Sequence, residues 1–132
     1  MKIHYLNTDL DLAADDDLTL LAAIFEAQGV PAFHVTCGGD GRWYATFETK
    51  RQFDEPEPNI AAMLDVVESL SGPARRLWRA CTRREFNIGY DCGSEPRCFN
   101  HGLSSQTLGR MAKAGASLRI TLYPPESASK PG

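Results

Sequence analysis

The sequence predicts an α+β fold: a mostly antiparallel sheet of about five strands with helices packed on one face, in the order β-α-β-β-α-β-α-β. Two observations carry this. Every strand-type segment alternates apolar with polar residues, the period of a strand buried on one side only. Every helix-type segment sets apolar residues three and four apart between start and stop signals. A sheet with one apolar side, closed by amphipathic helices, satisfies both patterns.

Taken in order, Ile3 and Tyr5 share one side of a first strand. Leu10 and Leu12 follow a polar break at Asn7-Thr8-Asp9, so a bend or bulge is expected near Asn7. Asp15-Asp16-Asp17 precedes Leu18, Leu20, Leu21, Ile24 and Phe25. Aspartates there cap a helix and complement its positive end, whereas the alternating ligands and glycine of a calcium loop are missing. Gly29 then ends the helix, and Val30-Pro31 prevents its resumption.

A hairpin is expected next. Phe33, Val35 and Cys37 alternate with His34 and Thr36, Gly38-Gly39-Asp40-Gly41 supplies the turn, and Trp43, Ala45 and Phe47 alternate with Tyr44, Thr46 and Glu48. The turn lacks the following helix and the Lys-Ser/Thr of a phosphate loop. After a polar loop from Lys50 to Pro58, Asn59 is expected to cap a helix carrying Ile60, Met63, Leu64, Val67 and Leu70. Ser71-Gly72-Pro73 breaks it, and a further helical segment runs from Ala74 to Cys81. Its arginines, with Arg83 and Arg84, read as a solvated, ion-paired face, with an anion-binding patch as the alternative.

The last third, Glu85 to Tyr123, is expected to organise the rest. Phe86, Ile88 and Tyr90 oppose Asn87 in one strand, and Leu118, Ile120 and Leu122 oppose Arg119 and Thr121 in another. The three residues Leu118, Ile120 and Leu122 are expected in the core. Between the strands, Ser104 caps a helix, Leu103 and Leu108 form a staple, Leu108, Met111 and Ala112 form a stripe, and Gly115 ends it. Residues 1–123 read as one domain, and the proline-rich end from Pro124 to Gly132 as a frayed tail.

The chain has 132 residues, 42% apolar and 23% charged, and a net charge of −3. That is the composition of a globular protein; the acidic balance speaks against a nucleic-acid binder and suits a basic protein partner, although solubility is the commoner reason for it. No signal-peptide or membrane-spanning pattern is present, so a cytoplasmic protein is expected, with Cys37, Cys81, Cys92 and Cys98 as free thiols.

Two candidate sites emerge. The polar side of the sheet would display His34, Thr36, Tyr44, Thr46, Glu48, Asn87, Arg119 and Thr121, residue types able to anchor a protein partner. The loop from Asp91 to Gly102 concentrates Cys92, Cys98 and His101. These three are candidate zinc ligands, although neither a Cys-x2-4-Cys nor a His-x3-5-His pair is present. A Cys98–His101 thiol centre is the related enzymatic alternative, without an orienting carboxylate or an oxyanion-hole signature. No catalytic residue is assigned.

The stretch Phe86-Asn87-Ile88-Gly89-Tyr90-Asp91-Cys92-Gly93, then Gly102-Leu103-Ser104, then Gly115-Ala116-Ser117-Leu118-Arg119-Ile120-Thr121-Leu122-Tyr123, is similar to small bacterial α+β proteins of the immunity-protein type. Such proteins are encoded beside polymorphic or contact-delivered toxins. The resemblance implies a non-enzymatic protein that neutralises a toxin by direct binding, and it transfers no catalytic residues.

Overall fold

The computed structural model describes residues 1–125, so most of the expected tail lies outside the described residues. The elements are β1 (His4–Ala14), α1 (Thr19–Ala27), β2 (Ala32–Cys37), β3 (Trp43–Phe47), α2 (Pro56–Ser69), α3 (Gly72–Ala80), β4 (Arg83–Asp91), α4 (Ser105–Lys113) and β5 (Ser117–Tyr123). The predicted α+β order holds, with the helical region after β3 divided into α2 and α3. The sheet runs β2-β3-β1-β4-β5 and is antiparallel except between β4 and β5.

Register makes the sheet one-sided. Leu10 lies opposite both Phe47 and Phe86, Leu12 opposite Ala45, and Thr8 opposite Ile88, so these side chains share one face. The helices close it with Leu21, Phe25, Ile60, Met63, Leu64, Trp78 and Met111, all buried. Phe25 sits against Phe47, with ring centroids 4.8 Å apart, and stacks on Trp78 at 6.3 Å. Burial of each such side chain contributes about 1.5–3 kcal/mol.

Local signals explain the element ends. The Asp17 carboxylate accepts from the Thr19 N–H at 2.8 Å and from its hydroxyl at 2.5 Å, which holds Asp17 below the ordinary carboxylate range. Gly29 ends α1 at φ +86°, and Gly115 follows α4 at φ +72°. Ser104 caps α4 as expected, its hydroxyl accepting from the Thr107 N–H at 3.2 Å. The α4 stripe differs from expectation: Thr107 and Met111 are buried, while Leu108 and Ala112 face solvent.

Asn59 is not a cap. Helix α2 starts three residues earlier, with Pro56 in its first turn, where the missing N–H costs no hydrogen bond. Asn59 is buried at 2% exposure and joins α2 to the central strand. Its Oδ1 accepts from the Tyr5 hydroxyl at 2.7 Å and from the Thr8 N–H at 3.1 Å, and its Nδ2 donates to Thr49 Oγ1 at 2.8 Å. Burial pushes the Tyr5 phenol up to about 12, so it stays protonated and able to donate. The expected irregularity in β1 falls where the sequence placed it, between Tyr5 and Asn7, and Thr8 is turned inward beyond it.

Arg84 is likewise structural rather than part of a solvated cationic face. Its Nη1 donates to the carbonyls of Trp78, Arg79 and Cys81 at 3.0, 3.2 and 2.8 Å, and its Nε to that of Gly115 at 3.0 Å. A cation thereby satisfies the carbonyls left over at the end of α3.

The organising role expected of the last third is corrected at its final strand. Leu118, Ile120 and Leu122 are 41, 58 and 61% exposed, because β5 is an edge strand that no helix covers among the described residues. Phe33, expected inward, is exposed as well, beside a register shift between Ala32 and His34.

The Asn59 network gives a test by urea denaturation. Asn59→Ala leaves the Tyr5 hydroxyl and Thr8 N–H buried without their acceptor and should lower stability by about 2–4 kcal/mol. Ile120→Asp, on the uncovered strand, should still fold. A loss below about 1 kcal/mol for Asn59→Ala would contradict the network's role.

Candidate functional site: the open sheet face

The alternation that sends Leu10 and Leu12 under the helices sends Asp9 and Asp11 to the opposite face of β1, which no helix covers among the described residues. Register then assembles that face strand by strand. His34 pairs with Thr46 and Thr36 with Tyr44; Thr46 lies opposite Asp11, Asn87 opposite Asp9, Arg119 opposite Asn87, and Thr121 opposite Gly89. The sheet-face residues expected from sequence, His34, Thr36, Tyr44, Thr46, Asn87, Arg119 and Thr121, therefore lie on one surface, with Glu48 joined to it by Asn7 just past the end of β3.

Sequence reasoning missed the centre of that surface. The sequence reading places Asn7 and Asp9 in a polar break and assigns neither Asp11 nor Glu85 to a face. The available signal was the strict alternation Asp9-Leu10-Asp11-Leu12, which marks both sides of the strand at once.

Side-chain hydrogen bonds, most of them cross-strand, fix these groups. Asn7 Nδ2 donates to Asp9 Oδ1 at 2.9 Å and also to Glu48, tying β1 to the end of β3. Thr46 Oγ1 donates to Asp11 Oδ1 at 2.8 Å, and Thr121 Oγ1 to Asn87 Oδ1 at 2.7 Å. Arg119 Nε donates to Glu85 Oε1 at 2.7 Å, a pair in which Glu85 is only 13% exposed. At the other edge, Tyr44 donates to Asp40 in the hairpin turn at 2.5 Å.

The electrostatic consequence is a crowded acidic centre. Burial first, then the charges of Asp11 and Glu48, push the Asp9 carboxyl up to about 6, partly offset by the Asn7 hydrogen bond. Arg119 is committed to Glu85, which raises its own affinity for the proton. Among the described residues, Asp9, Asp11 and Glu48 have no ion-pair partner within 4 Å. This centre suits a cationic group brought by a partner.

The cysteine loop is a strap rather than a cluster. The Ser94 and Glu95 N–H groups donate to the Met1 carbonyl, and the Ile3 N–H donates to the Glu95 carbonyl at 2.7 Å. A Cβ at Gly93 would collide with the Met1 carbonyl, so the tight approach requires glycine. His101 turns Nδ1 to the Tyr90 hydroxyl at 2.9 Å, within a group of rings that includes Tyr5 and Phe99. Cys98 instead contacts Asn100, and the Cys92 N–H donates to the Tyr123 carbonyl. Cys92, Cys98 and His101 are not drawn together: among the described residues, no three His, Cys, Asp or Glu side chains are placed to hold a metal ion. Cys81, in the core, is pushed up to about 11 by burial, which keeps it a neutral thiol.

The arginine-rich segment (Arg75, Arg76, Arg79, Arg83 and Arg84) divides by structure. Arg84 is consumed at the end of α3, while Arg75 and Arg79 line a groove with Trp78, Arg110 and Lys113. Arg110 is held by Asp65 at 2.7 Å and Glu68 at 2.8 Å, bridging α4 to α2.

No family model, curated protein or solved structure matches this chain. No helix among the described residues is long and apolar enough to cross a membrane.

The Asp9 environment has a measurable effect on stability. An acid whose folded-state pKa exceeds its unfolded value stabilises the fold below the unfolded value, and that contribution is lost as pH rises through the folded value. For Asp9 the window runs from 3.8 to about 6. Asp9→Asn should remove this loss and raise stability at pH 7 by about 1–2 kcal/mol, after allowing for partial exposure. Urea denaturation across that window reads it; a wild-type profile no steeper than that of Asp9→Asn would contradict the assignment.

Proposed function

We propose that this chain is a non-enzymatic protein-binding protein whose open sheet face receives a basic surface of a partner, and that it acts as an immunity protein neutralising a bacterial toxin by direct binding. The observation that carries this reading is the cluster of three carboxylates, Asp9, Asp11 and Glu48, without an ion-pair partner within 4 Å and on a sheet face that no helix covers among the described residues. A partner's Lys or Arg placed there relieves repulsion among the three. It gains charge-assisted hydrogen bonds at a site already held by cross-strand bonds, so little ordering opposes docking. Tyr44, His34 and Arg119 flank the acidic centre with side chains that can provide apolar and hydrogen-bonding contacts around it.

A toxin that acts on nucleic acid or another anionic substrate has a basic active site. An acidic face of this kind blocks such a site by occupying it and also accelerates encounter through steering. The resemblance of residues 86–123 to immunity-type proteins supports the same reading.

The experiment is co-expression and calorimetric binding with the products of the genes flanking this one. Protection of the cell and a stable complex with a basic toxin are expected. Glu48→Lys and Asp11→Lys should each weaken binding at least tenfold, about 1.4 kcal/mol or more. Binding should also weaken as pH falls through 6, where Asp9 takes up its proton. Protection and affinity unchanged in both variants, or no complex with any flanking product, would overturn the proposal.

A further inference from the structure

Strand β5 is a regular seven-residue edge, in unbroken register with β4 from Ser117 to Tyr123. It holds no bulge and no proline, and Arg119 is its one charged residue. These are the devices that ordinarily keep an edge from pairing, and here they are nearly absent. Its apolar side, Leu118, Ile120 and Leu122, shares the helix-bearing face with Phe86 and Ile88 yet stays mostly exposed.

The backbone points the same way. The Tyr123 carbonyl accepts from the Cys92 N–H at 2.8 Å and is therefore turned toward β4. Backbone groups two residues apart in a strand point to the same side. Those of Ser117, Arg119 and Thr121 thus face β4, while the N–H and C=O groups of Leu118, Ile120 and Leu122 face outward. The same three residues offer both free ladder groups and uncovered side chains.

We propose that a second copy of this chain docks here, β5 against β5 in antiparallel pairing, with Ile120 on the two-fold axis. The strand is self-complementary in this register. Ile120 meets Ile120, and Leu118 meets Leu122, each exchanging backbone hydrogen bonds. On the open face Arg119 falls opposite Thr121 and Ser117 opposite Tyr123, so no charge meets a like charge. Centring the pair on Leu122 would instead set Pro124, which has no N–H, opposite Ile120. The contact is isologous and closed, as a two-fold dimer requires, and joins the two sheets into one. It leaves the acidic centre on β1 and β3 free, so it stands or falls separately from the binding function proposed above.

Light scattering after size exclusion, with amide exchange read by NMR on the full chain, tests it. A mass twice the 14.5 kDa of one chain is expected, with slow exchange at the outward amides of Leu118, Ile120 and Leu122. Ile120→Lys places two ammonium groups on the axis at an exposed position; it should return the mass to one chain and weaken association at least a hundredfold, with unchanged circular dichroism. A wild-type monomer at roughly 100 µM, including one that captures a foreign strand on this edge, would overturn the proposal. So would a dimer that survives Ile120→Lys. If that variant does not fold, the wild type decides: a dimeric mass with fast exchange at the three edge amides places the contact elsewhere and rejects this one.

Discussion

The position of the central strand depends on one buried amide. Asn59 reaches from α2 to the Tyr5 hydroxyl and the Thr8 N–H, so the helix and β1 are fixed in one relative setting. Because β1 pairs with both β3 and β4, its register sets that of the whole sheet. A slip of one residue would carry Asp9 and Asp11 into the apolar layer and expel Leu10 and Leu12. No buried side-chain polar atom among the described residues lacks a partner, so the network closes without a compensating defect.

That constraint produces the surface. Once Leu10 and Leu12 are committed to the helices, Asp9 and Asp11 have no choice of side, and β3 brings Glu48 and Thr46 beside them. The resulting repulsion is held in place by a fold stabilised elsewhere, chiefly by the Phe25–Phe47–Trp78 stack and the α2 contacts. Such a cluster costs an appreciable share of the small net stability of a domain, and a cationic partner recovers it.

The strands were legible because a period of two survives almost any context, and the α+β class followed from it. Coverage was not legible. The alternation of Leu118, Ile120 and Leu122 says which side of β5 is apolar, but a strand pattern carries no information on whether a helix reaches the sheet edge. Asn59 was misread because asparagine both caps helices and satisfies buried donors; Pro56, three residues upstream, was the better marker of the α2 start. Phe33 was assigned inward from its spacing with Val35, and the irregularity at Ala32–His34, which no residue type signals, set it outward. The open face was half legible: Glu48 and the flanking residues follow from strand alternation, while Asp9 falls in a stretch that reads as a polar break and Asp11 lies unassigned between Leu10 and Leu12. The cysteine loop drew attention through its residue types, yet distances, which spacing alone does not give, separate its ligating atoms.

The half-buried setting of Asp9, with Asp11 and Glu48 beside it, is most directly read by following the Asp9 carboxyl carbon through a pH titration by NMR. A midpoint near 6 is expected for the free protein. A midpoint near the ordinary value of 3.8 would mean that Asp9 is neither desolvated nor crowded by its neighbours, and the acidic docking face would lose its physical basis.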